Sequence, residues 1–292
     1  MCPAAQDHSL QLGGRLVRAR VHGDGNGPPL LLLNGLGAPL ELWEPLLHRL
    51  VGVRTIAFDA PGSGGSEAPY LPLSIGGHAR LALALLDRLG AERVDVLGLS
   101  FGGMVAQELA HLAPTRVERI ILASTSCGWG SVPGSPAALL AITTPERYYS
   151  RTVFEAVAPL YIGGRESKDE DFLRRQARTR ATHPPGMRGY MYQFLAAAFW
   201  SSLYWLPELA QPTLVLAGEQ DPLVPPSNAE ILSARLPNAT KHVVPGGGHL
   251  FLLERAEELA PVVGQFLHRP GVAVSGEPGQ LPPDQARRSR QG

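Results

Sequence analysis

The sequence predicts an α/β protein built on a mostly parallel central sheet, with helices on both faces and a helical cap inserted after the sixth strand. Three observations carry that expectation. From Leu30 onward, short apolar β-prone runs alternate with helical stretches, the pattern that lays parallel strands in one sheet with crossover helices on its two faces. The alternation stops near Gly128 and resumes only at Thr213. Between an apolar run and an apolar-periodic stretch stands Gly98-Leu99-Ser100-Phe101-Gly102, which reads as strand, sharp turn and helix.

The chain opens on β-prone segments 9–12 and 15–21 joined by Gly13-Gly14, a hairpin signal. A strand over 30–33 is followed by a helix near 43–50, a strand over 54–58, a helix over 74–89, a strand over 94–97, the helix after Ser100 and a strand over 117–123. Residues 128–206 are helical or loop-like, rich in aromatics and punctuated by Pro133, Pro136, Pro145, Pro159, Pro184 and Pro185. Strands return over 213–216 and 238–244, and an amphipathic helix spans 250–267. The expected organisation is therefore a core over 1–127, a cap over 128–206 placed above the Ser100 turn, the second part of the core over 207–268, and a tail over 269–292. Its Gly, Pro and Arg content predicts disorder.

Composition narrows the function. With 292 residues, 44% hydrophobic and 18% charged, the chain can bury a large core. A formal net charge of zero points to neither nucleic acid nor an anionic membrane surface. Residues 1–10 have no positive and apolar leader pattern, and no apolar run reaches the ~20 residues of a membrane span. Cys2 and Cys127 have no paired spacing and no metal-binding motif occurs, so no metal is expected and the cytoplasm is the expected compartment.

The pentapeptide at 98–102 is a G-x-S-x-G nucleophile elbow, in which glycines on both flanks allow a turn tight enough to lift a serine hydroxyl clear of the sheet. Ser100 is the candidate nucleophile. Its partners are expected in later strand-end loops. The strand at 213–216 runs into Ala217-Gly218-Glu219-Gln220-Asp221-Pro222, and the strand at 238–244 into Pro245-Gly246-Gly247-Gly248-His249. The order Ser100, Asp221, His249 is that of an α/β-hydrolase. Glu219 is a rival acid in the same loop; Asp221 is favoured by lying further past the strand and by Pro222 behind it. The eight other histidines lack the strand, glycine-rich loop and helix context, and His111 reads as a partner of its helix C-terminus.

An oxyanion needs donors, and two backbone N–H groups are candidates: that of Phe101, next to the nucleophile, and that of Leu36 in the loop Asn34-Gly35-Leu36-Gly37 after the strand 30–33. A plain glycine-rich turn is the alternative for that loop. Asn34 stands where a histidine is commoner and can pin the loop by hydrogen bonding. The turn Asp59-Ala60-Pro61-Gly62-Ser63-Gly64-Gly65-Ser66 lacks the endings of a phosphate or dinucleotide loop and is expected to shape a pocket wall. Asn34, Trp200 and Trp205 are the candidates for the substrate pocket, the tryptophans as part of an aromatic cluster with Phe199 and Tyr204.

Several segments resemble one family: Asn34-Gly35-Leu36-Gly37-Ala38-Pro39-Leu40-Glu41-Leu42, Ala57-Phe58-Asp59-Ala60-Pro61-Gly62, Val132-Pro133-Gly134-Ser135-Pro136, Arg147-Tyr148-Tyr149, Trp200-Ser201-Ser202, Gln211-Pro212-Thr213-Leu214-Val215-Leu216-Ala217-Gly218 and Gly248-His249-Leu250-Phe251-Leu252. Together they are similar to the intracellular medium-chain-length poly(3-hydroxyalkanoate) depolymerases, over about 30–267 and including the cap. The resemblance implies a serine hydrolase that cleaves the ester bonds of a stored bacterial polyester, working at the granule surface in the cytoplasm, with Ser100, Asp221 and His249 at the catalytic positions and no cofactor. The family usually has Trp after the nucleophile where this chain has Phe101. The competing readings are a small-ester hydrolase, thioesterase or lactonase of the same fold, and a non-catalytic ligand-binding receptor. Oligomeric state is not legible in the sequence.

Overall fold

The computed structural model describes residues 5–268; Cys2 and the tail expected to be disordered over 269–292 lie outside them. Eight strands form one sheet in the order β1-β2-β4-β3-β5-β6-β7-β8. The hairpin β1 (Gln6–Leu12) and β2 (Arg15–His22) is antiparallel, and β2 joins β4 (Thr55–Phe58) antiparallel. The rest is parallel: β3 (Leu30–Leu33), β5 (Val94–Leu99), β6 (Val117–Ala123), β7 (Thr213–Gly218) and β8 (Ala239–Val244). The expected parallel α/β sheet is the observed one. The four leucines of β3 show why: all are buried, Leu30 and Leu32 in the core on one face, Leu31 and Leu33 in the core on the other, as a strand covered on both sides requires.

Helices α1 (Glu44–Leu47), α9 (Phe251–Glu254) and α10 (Ala256–Leu267) cover the first face, and α2 (Ile75–Arg88), α3 (Phe101–Leu112) and α8 (Ser227–Arg235) the second. Between β6 and β7 come α4 (Pro136–Ile142), α5 (Arg151–Ile162), α6 (Glu170–Thr182) and α7 (Met187–Ala198). The first three of these start on Ser135, Ser150 and Asp169, each accepting a backbone N–H three residues on. Such caps satisfy donors that a helix start leaves open.

Among the ties that hold this inserted segment down, two stand at its ends and on α7. Its ends pair at a Gly128–Ser201 bridge, flanked by Trp129 N–H to the Trp200 carbonyl at 3.0 Å and Ser202 N–H to the Cys127 carbonyl at 2.9 Å. On α7, fully buried Gln193 accepts from Gly37 N–H at 2.9 Å and donates to the Pro61 carbonyl at 3.0 Å and Ser63 Oγ at 2.8 Å. One side chain thus spans the loops after β3 and β4. The second of those loops is braced from within by the buried Asp59 carboxylate, which accepts from Leu40 N–H at 2.7 Å, Gly65 N–H at 2.8 Å and Arg18 Nε at 2.6 Å.

Beneath α3, His78 of α2 is buried edge-on to Phe101, with ring centroids 5.2 Å apart. Burial, with the Arg15 charge second, pushes its imidazole down to about 4. In the unfolded chain a histidine titrates near ~6.5, so between those values the unfolded state binds the proton more readily. The stability contributed by neutral His78 is complete above the unfolded value and is lost as pH falls toward 4, an expected loss of roughly 3 kcal/mol. Denaturant unfolding at pH 7 and pH 4 checks it: wild type should lose about that much more than His78→Phe. Equal losses would show that this imidazole titrates normally.

Candidate active site

The turn from β5 into α3 is set by steric exclusion. A Cβ on residue 98 would stand 2.3 Å from the Gly102 carbonyl oxygen, and one on residue 102 would stand 2.0 Å from that of Leu33. Only glycine fits at either position. Between them Ser100 takes φ 55° and ψ −116°, a left-handed conformation costing about 1–3 kcal/mol outside glycine. Its N–H donates to the Ala123 carbonyl at 2.9 Å, and its carbonyl accepts from Thr125 Oγ at 2.7 Å. These bonds hold the strained residue, with its hydroxyl at the helix start.

Ser100 Oγ lies 3.1 Å from His249 Nε2, and His249 Nδ1 lies 2.8 Å from Asp221 Oδ2. Asp221 and His249 are each 4% exposed. An ionised carboxylate only accepts, so Nδ1 carries the proton and Nε2 is left to accept from the serine. Asp221 Oδ1 accepts from the N–H groups of Leu223 and Val224, both at 2.9 Å, which fixes the carboxylate in place. Glu219 is elsewhere: exposed, it accepts from Gly246 N–H at 2.8 Å and braces the loop that carries His249.

The His249 loop is also held from the cap. The backbone N–H of His249 donates to the carbonyl of Ile162, the last residue of α5, at 2.6 Å. Gly248 N–H donates to Glu166 Oε2 at 2.7 Å. Burial raises the Glu166 carboxyl above its ordinary range, opposed by the hydrogen bond from Gly248. The sequence reading missed this residue, which lies in a polar stretch with no motif around it.

A cavity of about 590 Å³ opens over Ser100 and His249. Its wall is largely apolar, with Leu36, Leu42, Met104, Phe194 and Leu253 among its residues. Phe101 and Leu36 both line it, and among the described residues the N–H of neither has an acceptor. The Leu36 carbonyl accepts from the Tyr148 hydroxyl. Asn34 lines the cavity too, and its Nδ2 donates to the Pro39 carbonyl at 2.7 Å, closing the loop across its base.

Two expected pocket residues are absent from that wall. Trp200 donates from Nε1 to Glu108 on α3 at 2.7 Å, and Trp205 stacks on His111 with ring centroids 4.3 Å apart. Glu108 and His111 stand one turn apart on α3, so both tryptophans stitch the end of the inserted segment to that helix. The polar edge of a buried indole needs an acceptor, and Glu108 supplies it away from the cavity. Phe199 and Tyr204 are 80% and 88% exposed. The turn over 59–66 likewise forms no part of the wall; its carboxylate and glycines brace the loop itself. Trp129, Tyr161 and Arg180 reach the cavity though no motif marked them, and so does Arg147, quoted above only as part of a resembling segment and with no role.

Comparison with known proteins gives the family and the fold. The model of a protein family described as the alpha/beta hydrolase fold matches residues 28–256. Over 263 residues the chain is 39% identical to a poly(3-hydroxyalkanoate) depolymerase of Ectopseudomonas oleovorans, an alignment spanning 89% of this chain and 92% of that protein. Among solved structures, a hydrolase from Pseudomonas aeruginosa PA01 superposes with a TM-score of 0.78 at 28% identity, covering 91% of this chain and all of that one (100%). The enol-lactonase from Burkholderia xenovorans LB400 superposes with a TM-score of 0.79 at 25% identity, covering 90% and 100%.

Proposed function

The chain belongs to the alpha/beta hydrolase fold family, and from that premise we propose that it is a serine hydrolase that cleaves the ester bonds of a medium-chain poly(3-hydroxyalkanoate) through an acyl-enzyme. The observation that carries the reading is the Ser100–His249–Asp221 relay opening into an apolar cavity. The similarity to a depolymerase of that polymer supplies the substrate class.

In the proposed reaction Ser100 attacks the ester carbonyl carbon as its proton passes to His249 Nε2, and Asp221 holds the other ring nitrogen and stabilises the imidazolium. The oxygen that becomes negative is received by the N–H groups of Leu36 and Phe101. The C–O bond to the alcohol breaks and the alcohol leaves with the proton from His249. A water, deprotonated by the same imidazole, then releases the acid and restores Ser100. Tyr148, bonded to the Leu36 carbonyl, supports the loop that presents the Leu36 N–H.

At the cavity mouth Trp129, Val132 and Leu139 both line the cavity and remain 68%, 41% and 40% exposed. This apolar rim supports the further proposal that the protein works on a polyester granule surface in the cytoplasm. No helix among the described residues is long and apolar enough to cross a membrane. Incubation with an emulsified medium-chain polyester tests both parts: 3-hydroxy acids should be released, and the protein should sediment with the particles. No release from the emulsion, with p-nitrophenyl esters still turned over, would leave a hydrolase of small esters.

Chain length gives a second expected result. Burying one methylene is worth about 0.8 kcal/mol, close to fourfold in kcat/KM while room remains. Across p-nitrophenyl esters, kcat/KM should climb from acetyl to an optimum at about six to ten carbons. Met104, one turn beyond Ser100 on α3, faces the cavity, so Met104→Trp should shorten the optimum. Trp205→Ala should leave the slope standing, since its ring is stacked on His111. A wild-type optimum at acetyl would reject the apolar acyl pocket.

A further inference from the structure

Two arginines reach the cavity from the cap, and among the described residues no carboxylate meets them. Arg147 follows α4 in the short turn Pro145–Tyr148 and Arg180 stands near the end of α6; both line the cavity, and each is 4% exposed. Their hydrogen bonds go to neutral acceptors. Arg147 donates from Nη1 to the Ile142 and Thr144 carbonyls, both at 3.0 Å, and from Nη2 to the Tyr190 hydroxyl at 2.7 Å. Arg180 donates from Nη1 alone, to the Gln176 carbonyl at 3.3 Å and to the Gln176 side chain. Among the described residues, the buried Nε of each arginine and the buried Tyr161 hydroxyl have no hydrogen-bond partner.

Aromatic faces surround the pair. The Arg147 guanidinium carbon lies 4.9 Å from the Tyr148 ring and 5.4 Å from that of Tyr161, and that of Arg180 lies 5.3 Å from Phe154. Such contacts offset part of the cost of taking a guanidinium out of water, but a charged group in an apolar wall is fully compensated only by an opposite charge. Arginine cannot escape the cost by losing its proton. What remains open to the cavity is the Arg180 fork, whose Nη2 makes no hydrogen bond among the described residues, with the Arg147 charge beside it in the same wall. The planar fork of a guanidinium suits the two oxygens of a carboxylate.

We propose that Arg147 and Arg180 form a carboxylate site at the cap side of the cavity, so that the favoured substrates are oligomeric hydroxyacyl esters that end in a free acid. The inference rests on the ester-hydrolase reading of Ser100 and deepens it. The alkyl groups of the oligomer lie on the apolar wall while its acid end pairs with Arg180, in the field of Arg147. Recognition then falls on chain ends and released oligomers, because an internal bond of the polymer carries no charge nearby.

The test compares a 3-hydroxyoctanoate dimer as the free acid with the methyl ester of the same dimer, which differs only in charge at that end. Wild type should favour the free acid by roughly ten- to a hundredfold in kcat/KM, carried mainly by KM, as expected for hydrogen bonds to a charged group. Arg180→Gln should bring the ratio close to one. That site is chosen because the Arg180 hydrogen bonds stay within its own helix, whereas Arg147 also ties the chain between α4 and α5. Equal rates on both dimers in wild type overturn the carboxylate site while leaving the hydrolase intact. A preference that survives in Arg180→Gln overturns it as well, leaving Arg180 as a stacking tie within the cap. Absence of turnover on every ester, p-nitrophenyl esters included, overturns the hydrolase reading together with it.

Discussion

Ser100→Ala is expected to lower kcat on a p-nitrophenyl ester by about 10⁴ to 10⁶ while leaving the fold unchanged. The substitution removes one oxygen whose protein contact is with His249 Nε2 at 3.1 Å. Among the described residues no other hydroxyl meets that nitrogen, so the covalent route is lost and what remains is water attack aided by the N–H groups of Leu36 and Phe101. His249→Ala should cost a similar factor, because an un-ionised serine is a poor nucleophile. The double variant should be little worse than either single one, since residues that act as a unit lose their effect together. Retention of more than a tenth of wild-type activity in Ser100→Ala would place the nucleophile elsewhere. Multiplicative losses in the double variant would argue that the two residues act independently.

Asp221→Asn should be the next most damaging change, at about 10⁴ in kcat, the scale associated with forcing the wrong histidine tautomer. An asparagine can keep its oxygen on the N–H groups of Leu223 and Val224, where the aspartate now accepts both. Its NH₂ then faces Nδ1, which must accept. The imidazole proton moves to Nε2, the atom that has to receive the serine proton. Glu219→Gln, by contrast, weakens one exposed bond to Gly246 and should cost a factor of a few at most. Steady-state kinetics on the two variants, with circular dichroism to establish folding, ranks them. The reverse ranking would hand the acid role to Glu219.

Much of this molecule is legible in its sequence because backbone sterics and burial write themselves locally. The eight strands, the antiparallel hairpin and the interruption after β6 follow from apolar runs and turn residues, with small errors at ends: the first strand begins at Gln6 where the reading began at residue 9. Ser100, Asp221 and His249 stand out because each ends a strand in a glycine-rich or proline-bounded loop. The cavity wall is much less legible. Trp200 and Trp205 look like pocket residues by composition, yet their direction depends on Glu108 and His111, which lie about 90 residues earlier in the chain. Arg180 shares α6 with Arg174, Arg175 and Arg178, all of them exposed; in such a charged helix, periodicity does not single out the one that turns inward. Glu166 acts through Gly248, a contact 82 residues apart that leaves no local mark.

The Ile162 carbonyl and the Glu166 carboxylate bear on how this scaffold diversifies. Both belong to the inserted segment, yet they hold the backbone of Gly248 and His249, so the segment that walls the cavity also sets the aim of the imidazole. A cap exchanged wholesale with that of a relative imports a new acyl pocket and a new anchorage for the histidine in one step. Chimeras that retain 162–166 of this chain and graft only the flanking helices keep the two inheritances separate. The workable crossover points for altering selectivity therefore lie inside the insertion, on either side of that short stretch, and not at its junctions with the sheet.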